Sequence, residues 1–302
     1  MRRILSIAAA ASATLALHSC FTGVESTPRI GAGEVRKETA SAPVEDAVLA
    51  GVVPQPFEQW TPGKSFLVED SRIRLLFGIT LPAGADLRGD TLCYAGAVRT
   101  TDFAGKPVTI LRFNDRRLPG DTLEYRVGSE ARIELPFTVE LSVVDSARAL
   151  LTGRTFYLLT RSRRDSADNI VSGRRYVPVT VDSVMPGSAV NPIKISFTDD
   201  TGSRAYLFMP GGVAAASPRR FGAVLSVADP RRRYQHVTDE VWTNIVDGKV
   251  APGMTRDECR LSLGKPASVD RVPGSSYLYE RWTYDNGIYL IFEDGVLTQF
   301  RR

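Results

Sequence analysis

The chain has 302 residues and a formal net charge of +4, from 38 Lys and Arg set against 34 Asp and Glu. Arg2 and Arg3 supply part of that excess in what reads as an export leader, so the balance does not describe a nucleic-acid binder. Two histidines and three cysteines, none at paired metal-ligand spacing, argue against a metal site and against a disulfide-dense scaffold.

Residues 1–19 read as a signal peptide. Arg2 and Arg3 form the positive end, and Ile4 to Leu17 is an apolar run too short to span a bilayer. Leu17-His18-Ser19-Cys20 resembles a bacterial lipoprotein processing site. That resemblance implies acyl chains on Cys20, and several chains together anchor durably where one does not. An ordinary secretory signal is the competing reading. Phe21 stands where an inner-membrane retention signal places Asp, and the stretch resembles lipoproteins of Bacteroidota. An outer-membrane lipid anchor is therefore expected, with the periplasmic or surface face left open. Residues 20–62, rich in Ser, Thr, Ala, Pro and charge, read as a tether, with a short helical turn near Pro43–Leu49.

From residue 63 to 235 the pattern is β. Candidate strands are Ser65–Val68, Ile73–Gly78, Thr91–Tyr94, Val108–Phe113, Thr122–Val127, Ile133–Val144, Thr155–Thr160, Tyr176–Val184, Ile193–Phe197, Ala205–Met209 and Ala223–Val227. Gly, Pro, Asn and Asp punctuate them, and no long helical pattern intervenes. A sandwich or two SH3-like barrels, at 63–145 and 146–235, fit this spacing better than a doubly wound sheet. A faint repeat favours the barrels: Leu87–Tyr94 echoes Leu151–Leu158, and Thr109–Asp115 echoes Lys194–Asp199.

The last stretch, 236–302, carries the sharpest signals. Thr238 before Asp239 and Glu240 marks a helix start, and Gly248 its end. Thr255 with Glu258 forms a capping box, Met254 staples onto Cys259, and Gly264 and Pro266 stop the second helix. Strands follow at Tyr277–Tyr284, Ile288–Phe292 and Val296–Phe300, joined by Asp285-Asn286-Gly287 and Asp294-Gly295. The expected fold class is thus α+β, mostly β, ending in a small ααβββ domain. Gly253-Met254-Thr255, Leu263-Gly264-Lys265-Pro266, Trp282-Thr283-Tyr284 and Phe292–Leu297 resemble the SmpA/OmlA (BamE-like) family of envelope lipoprotein domains. The resemblance implies the fold shared with the β-lactamase inhibitor protein, and a role in an envelope assembly.

Catalytic chemistry is hard to assemble from what remains. His236 is the only histidine beyond the leader, and no Gly-x-Ser-x-Gly elbow accompanies it. Asp199-Asp200, Asp239-Glu240 and Asp285 sit at turns or helix starts, where Asp is favoured for backbone reasons. No phosphate loop or dinucleotide fingerprint is found, so no cofactor is expected, and an enzyme is not expected either. Cys93 and Cys259 read as small core residues rather than a bridge, although export would permit one. The clusters Arg161–Arg164, Arg174-Arg175, Arg219-Arg220 and Arg231–Arg233 read as solvated loops, or as contacts for anionic headgroups. The aromatic tail supplies the candidate partner-binding residues Tyr277, Tyr279, Arg281, Trp282 and Tyr284. The expected function is binding: a lipid-anchored scaffold or accessory factor held to the membrane by Cys20 and contacting an envelope protein. A glycan-binding groove using Trp60, Tyr94, Tyr125 or Tyr157, and inhibition of a periplasmic enzyme, are the alternatives.

Overall fold

A computed structural model describes residues 44–81, 84–115, 117, 120, 122–128, 132–213, 217–273 and 278–301. Cys20 and Tyr277 lie outside these residues, as does most of the expected tether. The fold is mostly-β α+β, built on three antiparallel sheets.

The first sheet holds β1 (Ser65–Val68), β2 (Thr91–Thr101), β3 (Pro107–Asp115), β4 (Thr122–Gly128) and β5 (Thr138–Glu140), in the order β4-β3-β2-β1-β5. Between β1 and β2 the chain makes a one-turn helix, α1 (Arg74–Phe77), that packs on β4. A strand was expected at Ile73–Gly78. Asp70 instead caps a turn by accepting from Arg72 N at 2.8 Å, and Gly78 at φ 52° ends it. Ile73 and Phe77, four apart, then share the buried side, as helical spacing requires.

The second sheet follows α2 (Leu141–Leu151). It comprises β6 (Thr155–Leu158), β7 (Ser162–Arg164), β8 (Ile170–Ser172), β9 (Pro178–Pro186), β10 (Ile193–Asp199), β11 (Arg204–Met209) and β12 (Leu225–Ser226), the last preceded by α3 (Phe221–Val224). Its order is β12-β6-β9-β10-β11-β7-β8. Only Leu159–Arg161 separates β6, which pairs with β9, from β7, which pairs with β11. The chain must therefore bend there and the sheet curl round on itself.

The β7–β8 hairpin is absent from the sequence reading, which gave Arg161–Arg164 to a loop. α2 corrects that reading a second time, because Ile133–Val144 was expected to be one strand. Only Thr138–Glu140 is extended, and Val144, Ala147 and Leu151 then repeat at helical spacing and bury against the second sheet. The N-terminal approach is no free tether either. A 3₁₀ helix at Val44–Leu49 packs on α3, and Leu49 and Val52 are buried in the second sheet's core.

The two sheets repeat one plan. In the first, β1, β2, β3, β4 and β5 take the places that β6, β9, β10, β11 and β12 take in the second. Phe66 faces Leu92 as Phe156 faces Val179. Gly63 N donates to Tyr94 O, and Gly153 N to Val181 O, both at 2.8 Å. Glu69 N to Phe137 O and Leu159 N to Val224 O, both at 2.9 Å, close the opposite edge. In each sheet one unpaired residue bulges from the second strand of the plan, Ala95 in β2 and Asp182 in β9.

The register aligns Gly63-Lys-Ser-Phe-Leu-Val68 with Gly153-Arg-Thr-Phe-Tyr-Leu158, and Phe113-Asn-Asp115 with Phe197-Thr-Asp199. The echo of Leu87–Tyr94 in Leu151–Leu158 is thereby corrected. It matches two different strands of the plan, and the true counterpart of Leu151–Leu158 is Thr61–Val68.

The third sheet is a meander, β13 (Ser268–Pro273), β14 (Leu278–Thr283), β15 (Tyr289–Glu293) and β16 (Val296–Arg301), backed by α4 (Asp239–Asp247) and α5 (Arg256–Leu263). Both caps form as their sequences dictate. Thr255 Oγ1 accepts from Glu258 N while Thr255 N donates to Glu258 Oε2 at 2.7 Å, and Gly248 turns left-handed at φ 72°. β13 was not expected, so the strand count is four rather than three. Loop Gly253–Thr255 closes on the start of β16, with Leu297 N donating to Met254 O at 2.8 Å.

Candidate functional site

Strand alternation splits the expected aromatic site in two. Trp282 is buried, packed on Phe292 with ring centroids 4.7 Å apart, and Tyr284 is buried too, its hydroxyl donating to Gly264 O at 3.3 Å. Burial pushes the Tyr284 phenol up to about 12. These two are core residues, which corrects their assignment to a partner surface. Tyr279 and Arg281 point the other way, away from the helices, where the Arg281 guanidinium lies over the Tyr289 ring at 5.3 Å. On the buried face with Trp282 and Tyr284 sits a carboxylate, Glu280. Burial opposes its charge, but Trp282 Nε1 at 3.1 Å, Arg256 Nη1 at 2.6 Å and Arg271 Nε at 3.1 Å outweigh that, and its pKa is lowered. The cluster pins α5 to the sheet.

The third sheet's helices dock on the second sheet through groups that the sequence reading placed in solvent. Arg161 Nε donates to Ser262 O at 3.3 Å, Nη1 to Gly173 O at 3.1 Å and Val246 O at 2.8 Å, and Nη2 to Ile245 O. Three of these carbonyls lie in the last turns of α4 and α5, where unpaired C=O groups carry partial negative charge. Desolvation, with Arg175 nearby, lowers the Arg161 pKa to about 10. Beside it Trp242 stacks on Tyr176 and on Tyr234, at 5.5 and 5.8 Å, and the Arg231 guanidinium lies 5.0 Å from its ring. Tyr176 takes φ 61°, a left-handed backbone, at the position where the first sheet has Gly89 at φ 83°. The signal for this interface was available: Trp242 lies on the helix face with Ile245, and an arginine run next to a strand start invites a check of nearby helix ends.

A cleft of about 690 Å3 opens between the first and second sheets. The strap Pro54–Trp60 forms one wall, the outer half of the β2–β3 hairpin another, and the segment Arg132–Glu140 the floor, with Ala189 and Pro192 at the far side. At its base Lys64 pairs with Glu140, both buried, and Glu140 Oε1 also accepts from Ser142 Oγ at 2.5 Å and Gln55 N at 3.2 Å. Those charges are therefore satisfied internally, and what faces the cavity is proline, aliphatic and aromatic surface with Arg99, Arg132, Glu58 and Glu134 at intervals.

Trp60 lines this cleft, but its ring is engaged by Phe57, Phe66 and Tyr94 at 5.5, 4.9 and 5.4 Å, and its N–H by Gln55 O at 3.0 Å. Tyr94 is buried beneath it, while Tyr125 and Tyr157 lie outside the cleft lining.

Cys93 and Cys259 are both free thiols, and burial pushes the Cys259 thiol up to about 12. His236 is exposed, with its ring 6.5 Å from that of Tyr234. Among the described residues no group of three or more His, Cys, Asp or Glu side chains is placed to hold a metal ion. No helix among them is long and apolar enough to cross a membrane. No protein-family model and no curated protein matches the chain.

Proposed function

We propose that this is a lipid-anchored protein of the cell envelope that works by binding, as a scaffold or accessory factor in an outer-membrane or periplasmic assembly, and not by catalysis. The anchor is Cys20. In this reading the two repeated sheets are SH3-like barrels, supported by the strand order in which the last strand of each plan pairs with the first. The third is a BamE-like domain, supported by its two capped helices followed by an antiparallel meander, and by the contact of Gly253–Thr255 with Leu297.

The observation that carries the binding reading is the cleft. Its base charges are consumed by Lys64–Glu140 pairing, and its surface mixes proline, aliphatic and aromatic side chains with polar ones, the composition of a site that holds a ligand. Membrane extracts crosslinked in cells test the reading. The full chain is expected to recover a defined envelope protein, and Cys20→Ser is expected to lose palmitate labelling and that partner together. A partner recovered equally without the lipid would remove the anchor from the function. Enrichment no greater than for an unrelated lipoprotein would remove the binding role.

A further inference from the structure

The floor of the cleft carries a segment, Arg132–Leu135, whose main chain is almost unused among the described residues; one bond reaches it, from Thr138 Oγ1 to Leu135 O at 2.7 Å. Among the described residues, Arg132, Ile133, Glu134 and Leu135 donate no backbone N–H, and the carbonyls of Arg132, Ile133 and Glu134 accept no hydrogen bond. Their side chains already alternate as in a strand: Ile133 and Leu135 pack on the first sheet's core, while Arg132 and Glu134 are exposed. Such a segment is half of a β-ladder. Main-chain groups in a partly apolar cleft gain most when a second strand satisfies them.

We infer that the cleft binds an extended stretch of another polypeptide, which pairs its backbone with Arg132–Leu135 and so adds a strand there. This rests on the binding role proposed above and names its ligand class. Main-chain pairing would give affinity with little dependence on sequence, and alternate guest side chains would enter the surface formed by Phe57, Pro107 and Val108. Sugar is the poorer guest. The one tryptophan in the lining has its ring held by three aromatic neighbours and its N–H already donated, which leaves little platform for stacking.

The test uses a fluorescein-labelled peptide of alternating Val and Thr with Lys and Glu ends, the same peptide N-methylated at alternate residues, and chitotetraose. With the full mature chain, the first peptide is expected to give saturable anisotropy and to slow amide exchange at 133–135 at least tenfold. The N-methylated peptide should bind at least tenfold more weakly, because it cannot form the ladder. Val108→Arg should weaken binding by a similar factor with an unchanged melting temperature. Equal binding of both peptides, protection elsewhere on the chain, or protection of the cleft by chitotetraose alone would each overturn the inference. Binding of no probe would overturn it as well, while the crosslinking result above would still stand or fall separately.

Discussion

The first and second sheets are two solutions to one topology, and they differ in what has been packed around them. The first encloses its own core, with Phe66, Leu92, Leu111, Phe113 and Leu123 buried and α1 closing one side. The second has the same strand plan but recruits α2, the Val44–Leu49 turn and, through Arg161 and Trp242, the third sheet's helices. The same strand plan keeps the same backbone bonds while the connections between its strands differ. The β1–β2 connection holds a helical turn on β4, and the β6–β9 connection holds a hairpin on β11. Both insertions fall on the same strand of the plan.

Truncating the matched phenylalanines is the strongest way to break this comparison. Phe66→Ala and Phe156→Ala each remove a fully packed ring, and each should cost about 3–5 kcal/mol in urea unfolding. They should differ in reach. Phe66→Ala is expected to raise amide exchange in the first sheet alone, whereas Phe156→Ala should also loosen α4 and α5. Equal spread from both would mean that the sheets do not unfold as separate units.

Arg161 sharpens the same contrast, because it ties the helices of the third region to the second sheet. Arg161→Leu removes the side-chain donor from Ser262 O, Ile245 O and Val246 O, although Gly248 N and Arg175 N still reach the last two at 3.2 Å. At about 1.5–3 kcal/mol for hydrogen bonds to a charged group, the variant should lose roughly 2 kcal/mol, discounted because the side chain is only half-buried. Limited proteolysis between β12 and α4 should accelerate while the first sheet keeps its protection.

Much of the third region was legible, because its helix ends are written in short-range chemistry. Thr255 and Glu258 cap each other regardless of what packs above them, and Asn286-Gly287 turns wherever it sits. The second region was legible in part: the strands at Thr155–Leu158, Pro178–Pro186, Ile193–Asp199, Arg204–Met209 and Leu225–Ser226 stand where apolar alternation puts them, while one helix and one hairpin were not marked by local chemistry. Leu141–Leu151 has two adjacent valines that suit a strand, and only burial against β9 selects the helix. Ser162–Arg164 and Ile170–Ser172 carry few apolar residues, so nothing local marks a hairpin whose ladder to β11 is long-range. At the cleft, strand alternation was detected but Ile133 was joined to Val144 in one strand. That hid the unpaired segment, since Pro136 and the left-handed Phe137 at φ 64° break the run. The aromatic tail failed for a different reason: alternation separated Tyr279 from Trp282, yet both were assigned to one surface.

The matched residues Gly89 and Tyr176 give a smaller and more discriminating effect. Glycine reaches positive φ freely, whereas a side chain there costs about 1–2 kcal/mol, so Gly89→Ala should lose about that much. Tyr176→Gly would relieve the same strain but forfeit a ring stacked on Trp242. Burial of such a ring is worth roughly 2–3 kcal/mol, so the net should still be a loss, of about 1 kcal/mol. A gain in stability for Tyr176→Gly would show that the stack contributes little to docking.

The finest difference lies at the carboxylates that end β3 and β10. Asp199 accepts from Thr201 N at 3.0 Å, Thr201 Oγ1 at 2.6 Å and Ser203 N at 2.9 Å, with Arg163 at 3.6 Å. Asp115 accepts from Arg117 N at 2.9 Å, and its Oδ2 is buried without a partner among the described residues. Burial raises the Asp199 pKa, but those donors more than reverse it, so the folded value lies below the ordinary 3.8. The stabilisation is therefore complete above pH 3.8 and is lost as pH falls through the folded value. Melting temperature followed from pH 7 into that acid range should drop for the native chain, and the drop should shrink in Asp199→Asn. An acid limb unchanged in Asp199→Asn would show that the donors gathered at the end of β10 contribute no stability through that charge.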